Sequence, residues 1–183
     1  MTKTTIRPTG FLFLFCIPAV ALAWYDEIAR SRYRADSDWP QSPSVPGVVE
    51  NWTPMLGGVP GDGVEVGTNR IDSSENTALL LDWTDRAGAA FDLRTCVCPD
   101  FPSAKTELLR KLGMMQSTAT MPAGTNGLDR LGDICLARIG DPVRVFFVRN
   151  NVVVSLWTDA DGAAATNLLF NLDAQIVDAL ENP

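Results

Sequence analysis

Apolar and polar positions change rhythm several times along this chain, and each change marks an element. Thr77 to Trp83 is mostly apolar and reads as a strand, closed by the turn Thr84-Asp85-Arg86-Ala87-Gly88. Ala89 to Cys98 then alternates, with Phe91, Leu93 and Val97 on one side and Asp92 and Arg94 on the other. Pro99 and Pro102 end that strand, because proline brings no amide donor to a ladder. Ala104, Leu108 and Leu112 recur at helical spacing and predict a helix from about Ser103 to Met114, with Gly113 at its C-terminal end. Met115 to Asp133 follows neither period.

The second half repeats this order more clearly. Ile134 to Ile139 is a strand and Gly140-Asp141-Pro142 a turn. Val143 to Arg149 and Val152 to Trp157 are strands joined by Asn150-Asn151, and asparagine tolerates the left-handed backbone that a two-residue hairpin needs. A final helix runs from about Ala163 to Leu180, with Ala165, Leu168, Leu169, Leu172, Ile176 and Leu180 along one stripe. The pattern predicts an α+β fold, an antiparallel sheet with helices packed on one face. The shared order of hairpin, break and helix also admits a reading as two hairpin–helix repeats.

The N-terminal third has a different character. Lys3 and Arg7 precede an apolar run from Phe11 to Ala23, which ends in Ala21-Leu22-Ala23. This is the order of a secretory signal peptide, residues 1–23, cleaved after Ala23. The run is shorter than the roughly 20 apolar residues that span a bilayer, so an uncleaved membrane anchor is the weaker reading. Cys16 lies mid-run behind Phe15, which does not suit a lipid-attachment site. Residues 24–63 hold ten prolines and glycines between Ser37 and Gly63 and read as an arm or linker. Trp39, Trp52 and Met55 within it predict that part of the arm packs on the domain of residues 64–183. The expected location is periplasmic or secreted.

Charge narrows the partners. The chain carries a net −7, and loss of the signal, which holds two bases and no acid, makes it −9. Such a protein repels phosphate backbones and anionic lipid, so no nucleic acid is expected, and a membrane only through an uncleaved anchor. The alternating Arg30, Arg32 and Arg34 read as a solvated segment.

The chain contains no histidine. Ser-His-Asp and Cys-His activation and imidazole metal sites are therefore excluded. Lys105 and Lys111 fall on the polar side of a helix, and no carboxylate spacing singles out a catalytic pair. Three cysteines follow the signal: Cys96, Cys98 and Cys135. In an oxidising compartment the expectation is a bridge from Cys135 to Cys96 or Cys98 and one spare thiol, because a Cys96–Cys98 bond closes a small ring. A redox role is the lesser alternative. Asp159-Ala160-Asp161-Gly162 resembles the start of a calcium loop but lacks its closing acid, and reads instead as the cap of the last helix. Asn51-Trp52-Thr53 matches a glycosylation sequon. No cofactor and no metal are expected.

A two-residue turn at Asn150-Asn151 sets Arg149 against Val152 and Arg144 against Trp157. Val145, Phe147, Val154 and Leu156 then share one face, and Phe146, Val148, Val153 and Trp157 the other. Both faces are apolar while helices are expected on one. The second face is covered by the arm, or it meets a ligand or partner. The function expected is an exported, non-catalytic domain that binds a protein or an apolar ligand through that sheet face. The alternatives are a carboxylate-based enzyme acting on a sugar or cell-wall polymer, and a structural envelope component.

Overall fold

A computed structural model describes residues 27–56, 67–72, 76–85, 87–114, 121–123, 127–140 and 142–183. The expected signal peptide of residues 1–23, with its expected cleavage point and Cys16, lies outside the described residues. So do Arg86 and Asp141 in their turns.

Residues 27–32 form a first helical segment, α1, and Ala35–Asp38 a short second helix, α2. Six strands follow: β1 (Gly67–Asp72), β2 (Thr77–Thr84), β3 (Ala90–Val97), β4 (Ile134–Arg138), β5 (Val143–Arg149) and β6 (Val152–Thr158). Helix α3 (Phe101–Gly113) lies between β3 and β4, and helix α4 (Gly162–Glu181) ends the chain. The strands form one antiparallel sheet in the order β1-β2-β3-β6-β5-β4. The fold is α+β with an antiparallel sheet.

Capping side chains set both helix starts. Asp100 accepts the Ser103 amide at 2.8 Å, with Pro102 in the first turn, so α3 begins two residues earlier than its apolar stripe announces. Asp161 accepts the Ala164 amide at 2.8 Å and starts α4, which is the capping role expected of it. Asp159 accepts the Ala90 amide. The β5–β6 turn follows its residues too. Asn150 takes φ 51°, Arg149 faces Val152, and Arg144 faces Trp157.

The helices do not share a face of the sheet, as the sequence pattern suggested; they cover opposite faces. Helix α4 lays Ala165, Leu169, Leu172, Ile176 and Leu180 on Leu79, Leu81, Leu93, Val145, Phe147, Val154 and Leu156. Helix α3 lays Phe101, Ala104, Leu108 and Leu112 on Cys96, Val148, Val153, Ile134 and Leu136. The reason is visible in β5 and β6, where consecutive side chains alternate faces and nearly all are apolar. A strand that is apolar on both sides needs cover on both sides.

The arm runs past the β5–β6 turn and serves both clusters. Ala29, Tyr33, Ala35 and Trp39 pack on the α3 side, whereas Val45, Val49, Trp52 and Leu56 pack on the α4 side. The turn holds the crossing. The Asn150 amide donates to the carbonyls of Val45 and Gly47, and Asn151 exchanges hydrogen bonds with both backbone groups of Val49. Arg149 makes a two-point bond to Asp173 of α4, both contacts at 2.8 Å. It also reaches Ser44 at 2.8 Å and Asp133 at 3.4 Å. The Asp173 hydrogen bond, opposed by burial, raises the Arg149 guanidinium above its ordinary range. Gly132, at φ 68°, brings the chain against β5, where a Cβ would stand 2.4 Å from the Val148 carbonyl oxygen.

Candidate functional site

Three rows of side chains cross the α3 side of the sheet. The row beneath the helix is Ala78, Cys96, Val153, Val148 and Ile134. The next is Leu80, Arg94, Ser155, Phe146 and Leu136, and the last is Asp82, Asp92, Trp157, Arg144 and Arg138. Apolar character fades as the rows leave the helix. Of the four residues expected on the binding face, Val148 and Val153 are fully buried, Phe146 is half-buried, and Trp157 is 40% exposed. The cover comes mainly from α3, which the sequence reading had placed on the other face. From the arm, Trp39 joins it, Trp52 goes to the opposite face, and Met55 stays in solvent.

Where α3 ends, the last two rows and the helix bound a groove of about 540 Å³. Asp92, Arg94, Arg144, Phe146, Ser155 and Trp157 form its floor. Arg110, Lys111 and Met114, the last 57% exposed, form the helical wall. Four cations and one acid thus line a groove in a chain of net −7. Both Asp92 oxygens are held by Arg94, at 2.8 and 2.7 Å, and this bond raises the Arg94 guanidinium above its ordinary value. Glu107, on the inner side of α3, takes Arg110 at 2.7 and 2.6 Å and Lys111 at 3.6 Å. Arg144 and Arg138 face each other across β5 and β4, and neither has an ion-pair partner among the described residues. Like charges placed directly opposite repel.

The arrangement can hold an anion beside an apolar or aromatic group. Arg144 supplies a charge that no described residue pairs, Trp157 an exposed indole, and Phe146 with Met114 an apolar lining. Two carboxylates do not converge on the groove: Asp82 stands opposite Asp92 on β2, outside the lining, and Asp92 is tied to Arg94. Among the described residues, no group of ligating side chains could hold a metal ion, and no helix is long and apolar enough to cross a membrane. Sequence reading named Phe146 and Trp157 of this lining but not its charged residues, because it counted the outer face as apolar throughout. The pairing of Arg144 with Trp157 was available from the turn, but the neighbouring Asp92 and Arg94 become visible only once β3 is known to pair with β6.

The expected bridge from Cys135 to Cys96 or Cys98 is absent. All three are free thiols. Cys135 faces Phe147 across β4 and β5 and packs with the α4-side cluster, whereas Cys96 faces Val153 on the α3 side. The sheet separates them. Burial, with Asp173 and Asp129 nearby, pushes the Cys135 thiol up to about 12.

No known protein family, characterised protein or solved structure matches this chain.

Proposed function

We propose that the protein is a non-catalytic binding domain working outside the cytoplasm, and that its groove takes an acidic, aromatic-bearing segment of a partner protein. The observation that carries this reading is the gathering of Arg94, Arg110, Lys111 and Arg144 around the exposed indole of Trp157 in an otherwise acidic chain. A ligand carboxylate beside Arg144 relieves its repulsion from Arg138, and an apolar side chain against Trp157 and Phe146 removes apolar surface from water. The overall negative charge disfavours other anionic surfaces that cannot enter the groove.

A fluorescence titration with a synthetic peptide of alternating phenylalanine and glutamate tests this, with a phenylalanine–lysine peptide as control. The expected result is saturable binding of the acidic peptide alone, weakened by salt and lost in Trp157→Ala and Arg144→Glu. Equal binding of both peptides, or binding indifferent to both substitutions, would overturn the reading. The location rests on residues 1–23: the chain recovered from its native host is expected to begin at Trp24, and a mature chain still starting at Met1 would refute export by cleavage.

A further inference from the structure

Cys96 and Cys98 take no part in the groove, yet they are placed together. Cys96 lies on the α3 side of β3, in the row opposite Val153. Cys98 follows the last residue of the strand, and its backbone is held from both sides. Its amide donates to the Asn151 carbonyl at 2.8 Å, and its carbonyl accepts from the Asn151 side chain at 2.6 Å. Both thiols are 3% exposed, beneath Phe101, Ala104 and Leu108 of α3. Their sulfurs are 3.9 Å apart and hydrogen-bonded.

We propose that Cys96 and Cys98 form a dithiol–disulfide couple, with Cys135 a bystander on the far side of the sheet. The oxidant is a disulfide, from a low-molecular-weight thiol or a thiol oxidoreductase. The Cys96 thiolate attacks one sulfur of that disulfide, forms a mixed disulfide and expels the first thiolate. The Cys98 thiolate then attacks the Cys96 sulfur, closes the internal bond and expels the second. The two cysteines lose two protons and two electrons; the oxidant gains both and leaves as two thiols. Closure brings the sulfurs from 3.9 Å to about 2.05 Å and forms the small, strained ring that a single intervening residue imposes, which makes the bond readily reducible.

The surroundings suit this division of labour. The hydrogen bond shared with Cys98 holds Cys96 below the ordinary thiol range, opposed by burial and Glu107 and aided by Lys111 and Arg110. The same hydrogen bond, together with burial, holds Cys98 above that range until the mixed disulfide forms. Pro99, the residue after Cys98, lines an open cleft together with Asn76, Asp100 and Glu107. With a single residue between the cysteines, the bond closes too short a loop to act as a chain-entropy staple, so its role is redox chemistry.

Trypsin separates the thiols: Cys96 and Cys98 share the peptide 95–105, and Cys135 lies in 131–138. The experiment equilibrates the purified full chain in glutathione buffers from reducing to oxidising, quenches with acid, alkylates after denaturation and weighs both peptides. Peptide 95–105 is expected to pass from doubly alkylated to unalkylated and two hydrogens lighter, while 131–138 stays alkylated throughout. In Cys98→Ser, one glutathione is expected to remain trapped on Cys96. Three outcomes on the unaltered chain would overturn the proposal: double alkylation of 95–105 under every condition, glutathione adducts there without the internal bond, or a crosslink to 131–138. A Cys98→Ser chain that takes no glutathione on Cys96 would overturn the assignment of Cys96 as the attacking thiol.

Discussion

The two faces of the sheet are built from the same strands yet are finished differently. On the α4 side, a helix of 20 residues, about 30 Å long, overreaches strands of about 23 Å. Every position it covers on β5 and β6 is buried, from Val143 and Leu156 to Phe147 and Val154. On the α3 side the helix has 13 residues, about 20 Å, and cover stops at Gly113. The strands anticipate this. Their α3-side residues are apolar under the helix and become Arg94, Ser155, Asp92 and Arg144 beyond it. One face is core along its whole length, while the other is core for half its length and a charged groove for the rest.

Adjacent phenylalanines on β5 give the sharpest test of that contrast. Phe147 points under α4 and is fully buried; Phe146 points to the groove and is half-buried. Phe147→Ala should cost about 3–5 kcal/mol, the range for emptying a closed aromatic site. Phe146→Ala should cost less than half as much, because its site already meets solvent. Urea unfolding of the two variants measures both values. Equal costs would mean that the two faces are not differently closed.

The next effect concerns the seam between the faces. Arg149 ties α4, Asp133 just before β4 and the arm at Ser44 into one partly buried network. Removing one partner of such a network strands the remaining charges, and Arg149→Ala should cost roughly 3 kcal/mol. It should also free the arm, so limited proteolysis is expected to cut between residues 41 and 56 before the sheet unfolds. Loss of stability without early arm cleavage would show that Arg149 serves α4 alone.

How much of this was legible in the sequence depends on the range of the interaction. The turn at Asn150-Asn151 announced its own register, because two residues with left-handed tolerance leave the flanking strands one close pairing. Both long helices announced their stripes, and Asp161 its cap. Strand β1 did not announce itself: Gly67-Thr68-Asn69-Arg70-Ile71-Asp72 has a single large apolar residue, and its place comes from pairing with β2. The face chosen by each helix is likewise a long-range outcome. Periodicity reports that a helix has an apolar stripe, not which side of the sheet receives it. The cysteines illustrate the same limit. Counting thiols suggested a bridge, but only the pairing of β4 with β5 places Cys135 on the far side from Cys96.

Cys135 offers a smaller, pH-dependent probe of the closed face. Its folded-state pKa is raised to about 12, above the ordinary thiol value of roughly 8.5. The sign follows from linkage. Below the unfolded value the thiol is protonated in both states, and its contribution is fully present. Between the two values the unfolded chain ionises and the folded chain does not, so stability is lost as pH rises towards about 12. The slope for one proton is at most about 1.4 kcal/mol per pH unit. Subtracting Cys135→Ala from the unaltered chain between pH 8 and 11 isolates it. A flat difference would mean that the half-buried Cys135, on edge strand β4, is wet enough to ionise in the folded chain, and that its burial does not hold its thiol up.

Trp157 should give the smallest change in stability and the largest change in binding. Its indole is 40% exposed, and the exposed part contributes nothing to folding. Its cross-strand neighbours, Asp92 and Arg144, are polar groups that water can solvate if the indole is removed. Trp157→Ala is therefore expected to cost about 1 kcal/mol, far below the cost at Phe147, since only the buried part of the ring loses contacts. The acidic peptide should nevertheless lose its binding. Thermal unfolding and peptide titration of the same sample separate the two roles. A stability loss as large as that of Phe147→Ala would place Trp157 in the core and remove the floor from the groove. Unchanged stability with unchanged peptide binding would leave Arg144 and Arg138 as the recognition element and the indole as incidental to it.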